Sequence, residues 1–342
     1  MRVCETGAVR RFRSREHAGV TLKDKKPCRS LASGRIAYGV PNYRLARTIP
    51  TVERTEPMVS DPSRDLYALF YAAAKLGLWL AVFAAIFVPI ERIFALRSQK
   101  IFRKEVAVDL GYYFLTGLLP GLILAAPVSL AVLVVHHFIP GGVLDTVAAW
   151  PIWLKACATM IVGETAYYWA HRLSHQIPFL WRFHAIHHSA EQLDFLVNTR
   201  MHPVDLVWSR MVMLTPIFAL GLANPLHFGD GVIATTVLLS GSMWGYFIHS
   251  NVRWRLGPFE WLLTTPAFHH WHHTNDRKRR DCNYASKFPW LDRVFGTHHL
   301  PKAWPERYGI DEPMPDSLAG QFIHPLAPSR PLLPARDTRV AQ

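Results

Sequence analysis

Histidines dominate the residues of this chain that can do chemistry. Fourteen of its 18 histidines fall between His171 and His299. They include three short motifs, which are HRLSH from His171, HAIHH from His184 and HHWHH from His269. Residues three and four apart lie on one face of a helix, so each motif presents two or three imidazoles on the same side. Imidazole nitrogens bind iron, zinc, copper and nickel, and the motifs therefore predict a metal site.

These histidines are too many for one metal ion. Eight of the motif histidines, all but His270, have this spacing, and His202 and His249 stand nearby as two further candidates. Such a set suits two metal ions, each with several imidazoles and open positions. The motifs contain no Asp or Glu, unlike the carboxylate-rich di-iron sites of soluble four-helix bundles. The predicted metal ligands are His171, His175, His184, His187, His188, His202, His249, His269, His272 and His273.

Two further polar residues are predicted to act beside the metals, as the catalytic residues of the site. Glu164 lies seven residues before His171, about two turns along the same helix face. Its carboxylate can orient the His171 ring by a hydrogen bond, or it can pair with Lys155 instead. Asn275 follows the third motif and can hydrogen-bond a ligand imidazole.

Five apolar segments surround or precede these motifs, and each is long enough to cross a hydrocarbon core of about 30 Å as a helix. The later three carry polar residues and can be partly buried in protein. We predict an all-α integral membrane protein with four to five transmembrane helices and a cytoplasmic histidine-rich helical cap that holds a di-metal site. The segments are 66–90, 110–135, 147–170, 204–222 and 228–248.

The distribution of Lys and Arg predicts the orientation of these helices. Loop 91–109 and the segment after residue 249 are rich in basic residues, whereas loops 136–146 and 223–227 contain none. Basic loops face the cytoplasm. Segment 171–203 then lies on the cytoplasmic side as well. All three histidine motifs therefore emerge on one membrane face, although histidine played no part in this assignment.

The charge of the chain is concentrated at its N-terminus. The 342 residues carry a net charge of +13 at 50% hydrophobic content, but residues 1–57 hold 13 Lys and Arg against 5 Asp and Glu. A nucleic-acid-binding body would spread its basic residues over the folded domain, so this distribution argues against that class. We predict a disordered tract at 1–57, a membrane domain at 58–305 and a Pro-rich tail at 306–342. The basic tract is a disordered segment, a transit peptide, or sequence that is not translated because the protein starts at Met58. The predicted topology favours the start at Met58.

The four cysteines, Cys4, Cys28, Cys157 and Cys282, are scattered and form no CxxC pair. This spacing argues against a disulfide framework or a zinc ribbon. The chain also lacks a flavin or dinucleotide fingerprint and a haem-attachment motif. Electrons for a redox metal must therefore come from a separate carrier protein.

The histidine motifs resemble the histidine boxes of the fatty acid hydroxylase/sterol desaturase superfamily. Segment 198–203 (NTRMHP) is similar to the family's His-Pro segment, and segment 247–251 (FIHSN) to the one that bears its isolated histidine. Segments 283–285 (NYA) and 290–297 (WLDRVFGT) match two further signatures. The resemblance covers about residues 65–305 and is strongest to the bacterial sterol desaturase family proteins.

This resemblance implies a membrane oxygenase with two iron ions, which uses O2 to hydroxylate or desaturate a sterol, a fatty acyl chain or an ether lipid. It further implies a separate electron donor and, in a bacterium, a site on the cytoplasmic face of the inner membrane. One departure is Gly245, which stands where some members have a histidine four residues before the isolated one; His202 can fill that place.

Two other classes remain as alternatives. A membrane zinc hydrolase would usually place a general-base carboxylate within its motif, as in HExxH, and none of the motifs here has one. A non-enzymatic metal-binding or transport protein would place its ligands near the midplane of several spans. The predicted clustering at one membrane face argues against transport.

Overall fold

The structure of this chain is a computed structural model that describes residues 62–223 and 228–327. This part contains helices, turns and loops, with two isolated β-bridges and no β-strand. The all-helical character predicted from the sequence is therefore confirmed for these residues. The predicted tract 1–57, the proposed start at Met58 and residues 328–342 of the predicted tail lie outside the described residues.

The described chain consists of α-helices and short 3₁₀ helices joined by turns and loops. The 3₁₀ helices are Phe195–Thr199, Gly257–Trp261 and His324–Leu326. The α-helices in chain order are α1 (Pro62–Ile93), α2 (Val106–Leu118), α3 (Pro120–Ile123), α4 (Ala125–His136), α5 (Gly141–Ala148), α6 (Ile152–Gln176), α7 (Pro178–His188), α8 (Pro203–Ala219), α9 (Phe228–His249), α10 (Pro266–His272), α11 (Trp290–Val294) and α12 (Leu318–Ile323).

Two of these helices are long and apolar enough to cross a membrane. They are Leu66–Ile93 within α1 and Gly231–His249 within α9, and they coincide with the first and fifth predicted segments. Helices α4 and α5 meet at an angle of 116° and add a third crossing if they form one broken span. By length and composition the described part thus supports two or three spans, fewer than the four to five predicted.

The second predicted segment, 110–135, does not form one helix. The chain divides there into α2, α3 and α4. The physical reason is Pro120 and Pro127, each of which lacks an N–H and would clash with the preceding turn inside a helix. Both stand in the first turn of a new helix, where no intrahelical N–H bond is required.

Helices α6 and α8 pack along each other and correspond to the third and fourth predicted segments. α6 buries Lys155, Glu164 and His171 among its apolar residues. Gly163 permits the close approach of the two helices, because a Cβ there would lie 3.1 Å from Ile217 Cδ1. Met213 and Ile217 of α8 join an apolar core with residues of α4 and α9.

A second core joins α1, α2 and α9. The Phe83 ring lies 4.5 Å from that of Tyr246, and the Phe87 ring stacks on Phe195 at 5.4 Å between centroids. Tyr113 of α2 packs in the same cluster. This packing holds the last turns of α9 against α1 and α2.

A buried network of charges holds the loop before α2 to segment 189–203. The Arg103 Nε donates to Asp194 Oδ2 at 2.7 Å, and its guanidinium also pairs with Asp109. Arg200, which is fully buried, pairs with the same Asp109 and with Glu105. Each buried charge therefore has an opposite charge within reach, as burial requires.

Part of the predicted tail 306–342 packs on this helical body. Tyr308 is buried, and its backbone forms a β-bridge with Thr274. Gln321 of α12 is also buried and donates to the Pro315 carbonyl at 2.9 Å. The ordered contacts of the chain thus continue beyond residue 305.

Candidate metal centre

The C-terminal parts of four helices meet at one place. They belong to α6, α7, α9 and α10, and each carries histidines. Helix C-termini carry a partial negative charge, so their convergence favours a cation. Nine of the ten predicted metal ligands lie there.

The nine histidines form two groups. In each group the candidate ligand nitrogens all lie within 4.8 Å of one another. We call them site 1 and site 2. Site 1 consists of His171, His175, His184, His188 and His272, and site 2 consists of His187, His249, His269 and His273.

The two HxxHH motifs divide their histidines between the sites in opposite ways. In α7 the i and i+4 residues, His184 and His188, belong to site 1, and the i+3 residue His187 belongs to site 2. In the motif of α10 the i and i+4 residues belong to site 2, and the i+3 residue His272 belongs to site 1. The sites are adjacent, since the His188 and His273 rings stack at 4.5 Å between centroids.

Hydrogen bonds fix the orientation of five of the rings. Each Nδ1 faces a carbonyl or carboxylate oxygen, which has only lone pairs, so Nδ1 must carry the proton. In a neutral imidazole the lone pair then lies on Nε2. The pairs are His171 with Tyr284 O at 2.7 Å, His184 with Asp205 Oδ2 at 2.9 Å, His187 with Arg200 O at 3.1 Å, His249 with Gly245 O at 2.7 Å and His272 with Cys282 O at 2.8 Å.

This tautomer leaves lone pairs pointing at one another. The Nε2 atoms of His171 and His184 lie 3.2 Å apart in site 1, and those of His187 and His249 lie 3.2 Å apart in site 2. With both protons on Nδ1, neither atom of a pair can donate to the other. A cation between them removes the repulsion, so the donor set fits metal ions.

Other ring nitrogens in the two sites are buried without any hydrogen-bond partner in the described part of the chain. They are the Nε2 atoms of His175, His188 and His272 in site 1 and the Nδ1 atoms of His269 and His273 in site 2. A buried unpaired nitrogen is costly. The three residues of site 1 with an unpaired Nε2 all belong to the group whose candidate ligand atoms lie within 4.8 Å of one another, which is the arrangement that a bound metal would satisfy.

Burial also keeps these rings uncharged. Desolvation and then the neighbouring imidazoles lower the pKa values of His187, His188, His269 and His273 well below the usual 6.5. Burial lowers the pKa of His272 to about 3. Neutral imidazole is the form that binds a metal, so the sites favour the coordinating state.

The carboxylate of Asp205 is a site residue that sequence reasoning missed. It accepts from His184 Nδ1, and Ser174 Oγ lies 3.5 Å from its other oxygen. Its position in the first turn of α8, three residues after His202, was the available signal. A second missed acid is Asp281, whose Oδ1 lies 3.5 Å from His175 Nδ1.

His202, the tenth predicted ligand, lies outside both sites. Its Nδ1 accepts from the Val204 N–H at 3.1 Å and so caps α8. Its Nε2 lies 3.2 Å from the Phe322 carbonyl, to which it donates. Both ring nitrogens therefore contact the backbone, and the ring belongs to neither group of candidate ligands.

The predicted catalytic residues Glu164 and Asn275 do not contact the histidines as expected. Glu164 pairs with Lys287, with 3.0 Å between its Oε1 and Nζ, and also accepts from the Lys287 N–H. The predicted bond to His171 is absent because Tyr284 O occupies that Nδ1. Asn275 Nδ2 donates to Asp311 Oδ1 at 3.3 Å.

Both sites open into one cavity of about 460 Å³. Its wall is mainly apolar and comes from α1, α2, α6, α8 and α9. The histidines that line it are His171 and His184 of site 1 and His187, His249 and His269 of site 2. Glu164, Lys287 and Arg210 also face this space.

Comparison with known proteins gives a consistent result. Residues 156–297, which contain both sites, match the family model described as fatty acid hydroxylase. Ornithine lipid hydroxylase OlsE of Rhizobium tropici is 31% identical over 178 residues, which are 52% of this chain and 51% of that protein. Alkylglycerol monooxygenase of Xenopus tropicalis is 29% identical over 165 residues, and that of Homo sapiens is 30% identical over 165 residues.

The alkylglycerol monooxygenase matches cover 48% and 47% of this chain and 34% of each relative. The chain thus spans about half the length of the ornithine lipid hydroxylase and about a third of these two. No solved structure matches the chain. The family model and the relatives confirm the resemblance to the fatty acid hydroxylase superfamily that the histidine motifs carry.

Proposed function

We propose that this chain, which carries the histidine sites of the fatty acid hydroxylase superfamily, is a membrane oxidoreductase that oxidises a C–H bond of a lipid with O2. The observation that carries the proposal is the opening of two all-histidine sites into one apolar cavity. Relatives named as lipid hydroxylases and monooxygenases support it. The product is a hydroxylated or desaturated lipid, and the substrate classes are a sterol, a fatty acyl chain or an ether lipid.

The residues of sites 1 and 2 would hold two iron ions, which supply activation of O2 when they are bound. The rings are pre-oriented, since Asp205 and four backbone carbonyls fix five of them. Such outer hydrogen bonds set the tautomer and raise the basicity of the ligand nitrogen. The apolar cavity would position the hydrocarbon and exclude water from the reacting carbon.

We further propose that four to five segments cross the membrane, with α6 and α8 contributing beside α1 and α9. The histidine sites then lie at the cytoplasmic face of a bacterial inner membrane. The basic residues of loop 91–109 and of the segment after residue 249 support this orientation. Residues 58–305 form the membrane domain in this proposal.

A separate electron donor completes the reaction. Residues 277–280 form an exposed basic stretch that follows the third histidine motif by a few residues. Exposed basic residues steer an acidic partner toward a surface. We propose that an acidic electron carrier docks there.

A zinc hydrolase fits the site less well. That reaction needs a carboxylate free to act as general base at the metal. Asp205 accepts from His184, and Glu164 pairs with Lys287, so neither of these two is free. Zinc can still occupy the sites, because imidazole binds it readily.

The test is metal and product analysis of the purified full-length protein. We expect two irons per chain and a lipid product that gains an oxygen atom or loses two hydrogens, formed only with both O2 and a reductant. His137→Ala, at an exposed position beyond α4, serves as the control for expression and insertion. Bound zinc with O2-independent lipid hydrolysis would overturn the proposal.

A further inference from the structure

The side chain of Arg210 lines the cavity and has no carboxylate partner among the described residues. It lies near the middle of α8 and lines the same cavity as the histidines of sites 1 and 2. Its guanidinium forms no hydrogen bond and no ion pair within the described part of the chain. The two buried arginines, Arg103 and Arg200, differ from Arg210, since both have carboxylates around them.

Apart from the histidines and Arg210, the charged side chains among the described residues of the cavity wall pair with each other. Glu164 and Lys287 form an ion pair at 3.0 Å, and the Lys287 N–H donates to the second oxygen of the same carboxylate at 3.1 Å. Arg210 is therefore the one charged side chain of the described cavity wall, apart from the histidines, that no carboxylate of the described residues pairs with.

Arg210 does not stand at an end of its helix, where a long side chain could extend its charge into water. α8 runs from Pro203 to Ala219, and Arg210 stands about 10 Å along it from the start at a rise of 1.5 Å per residue. A partly apolar environment makes an unpaired charge costly, and ionisable residues in such segments mark binding sites. The remaining wall, with Trp79, Phe83 and Met213, offers contact for a hydrocarbon chain.

We infer that Arg210 binds the anionic group of the lipid substrate while the hydrocarbon of that lipid lies along the apolar wall toward the histidines. The inference rests on the proposed function, in which this cavity holds the substrate. A guanidinium binds phosphate and carboxylate through paired N–H donors. The substrate class is thus an anionic amphiphile, and an uncharged sterol or ether lipid lacks the group that Arg210 requires.

The experiment measures binding without turnover, so it does not depend on catalysis. The full-length protein in detergent is incubated anaerobically, without reductant, with a radiolabelled long-chain alkyl phosphate. Unlabelled alkyl phosphate, the fatty acid and the alcohol of the same chain length, and inorganic phosphate are the competitors. The variants are Arg210→Gln and Arg210→Lys, and Arg253→Gln, at an exposed arginine beyond α9, is the matched control.

We expect the parent protein and the Arg253→Gln control to bind the alkyl phosphate at least about tenfold more tightly than the alcohol, as a charged hydrogen-bonded pair provides. Arg210→Gln should lose this preference while it keeps its affinity for the alcohol, and Arg210→Lys should retain part of it. The ratio of the two affinities is compared between variants. Partition of the ligands into detergent and a general loss of folded protein affect every variant's ratio equally or not at all, so they do not change this comparison.

Equal binding of phosphate and alcohol by the parent protein would overturn the inference. So would an unchanged preference in folded Arg210→Gln, or competition by inorganic phosphate as strong as that by the alkyl phosphate. A preserved preference together with absent O2-dependent oxidation would overturn the proposed reaction alone. The two failures are therefore distinguishable.

Discussion

Asp205 Oδ2 accepts a hydrogen bond from His184 Nδ1 at 2.9 Å, and this contact makes the two metal sites chemically different. In site 2, the Nδ1 atoms of His187 and His249 donate to backbone carbonyls instead. A carboxylate raises the basicity of the ring that it holds more than a carbonyl does. Site 1 also has five candidate nitrogen ligands and site 2 has four. We therefore expect site 1 to bind its metal more tightly.

Asp205→Asn should weaken metal binding at site 1 in particular. The amide cannot replace the negative charge that supports His184, and loss of such a partner typically costs about 10- to 100-fold in metal affinity. Chelator competition followed by metal analysis measures the effect. Asp316→Asn, at an exposed aspartate that pairs with Lys104, is the control. Parent-like affinity in Asp205→Asn would contradict the role of this carboxylate.

His187→Ala and His272→Ala should each remove one ligand from a different site. We expect each variant to lose activity and about half of its bound metal, because a site's affinity depends on its full set of ligands. Membrane insertion should be unchanged, since both side chains lie outside the candidate spans. Metal content per chain is the measurement. Full metal content and full activity in both variants would refute the ligand assignment.

His202→Ala should keep the full metal content but lower stability. The ring caps α8 and contacts the backbone of Phe322, and the loss of a helix N-cap costs about 1 kcal/mol. His202→Asn is the matched variant, because asparagine is a good N-cap and should restore most of the loss. Thermal unfolding and metal analysis are measured together. Loss of one metal in both variants would show that His202 is a ligand after all.

Replacing one residue of the Glu164–Lys287 pair should destabilise the protein more than replacing both. Both side chains are buried, and an unpaired buried charge costs about 3–5 kcal/mol. We therefore expect Glu164→Gln and Lys287→Met each to lower the denaturation midpoint strongly and the double variant to recover part of the loss. A double-mutant cycle measures the coupling. Additive losses would mean that the two residues do not stabilise each other.

Local spacing was enough to predict that each motif gathers its histidines on one helix face, because the i, i+3 and i+4 positions depend only on helix geometry. The division into two sites was not predictable in this way, since it depends on how α7 and α10 face each other in the folded chain. The same holds for Asp205, which meets His184 from another helix, and for Lys287, which meets Glu164 across a long stretch of sequence.

Hydropathy predicted α1 and α9 correctly because each is one uninterrupted apolar helix. It failed for segment 110–135, where the composition is largely apolar but Pro120 and Pro127 stand at the start of new helices. Apolar composition predicts that a segment avoids water, but a single proline can decide whether that segment forms one continuous helix.

Both metal sites depend on α10, the last of the four histidine-bearing helices to be synthesised. Site 1 takes His272 from its motif, and site 2 takes His269 and His273. A chain that ends before Pro266 therefore has neither set of ligands complete, even though α6, α7 and α9 are already made. In the proposed enzyme, metal would therefore be bound only after the third motif has been translated, and truncated chains would lack a complete set of ligands at either site.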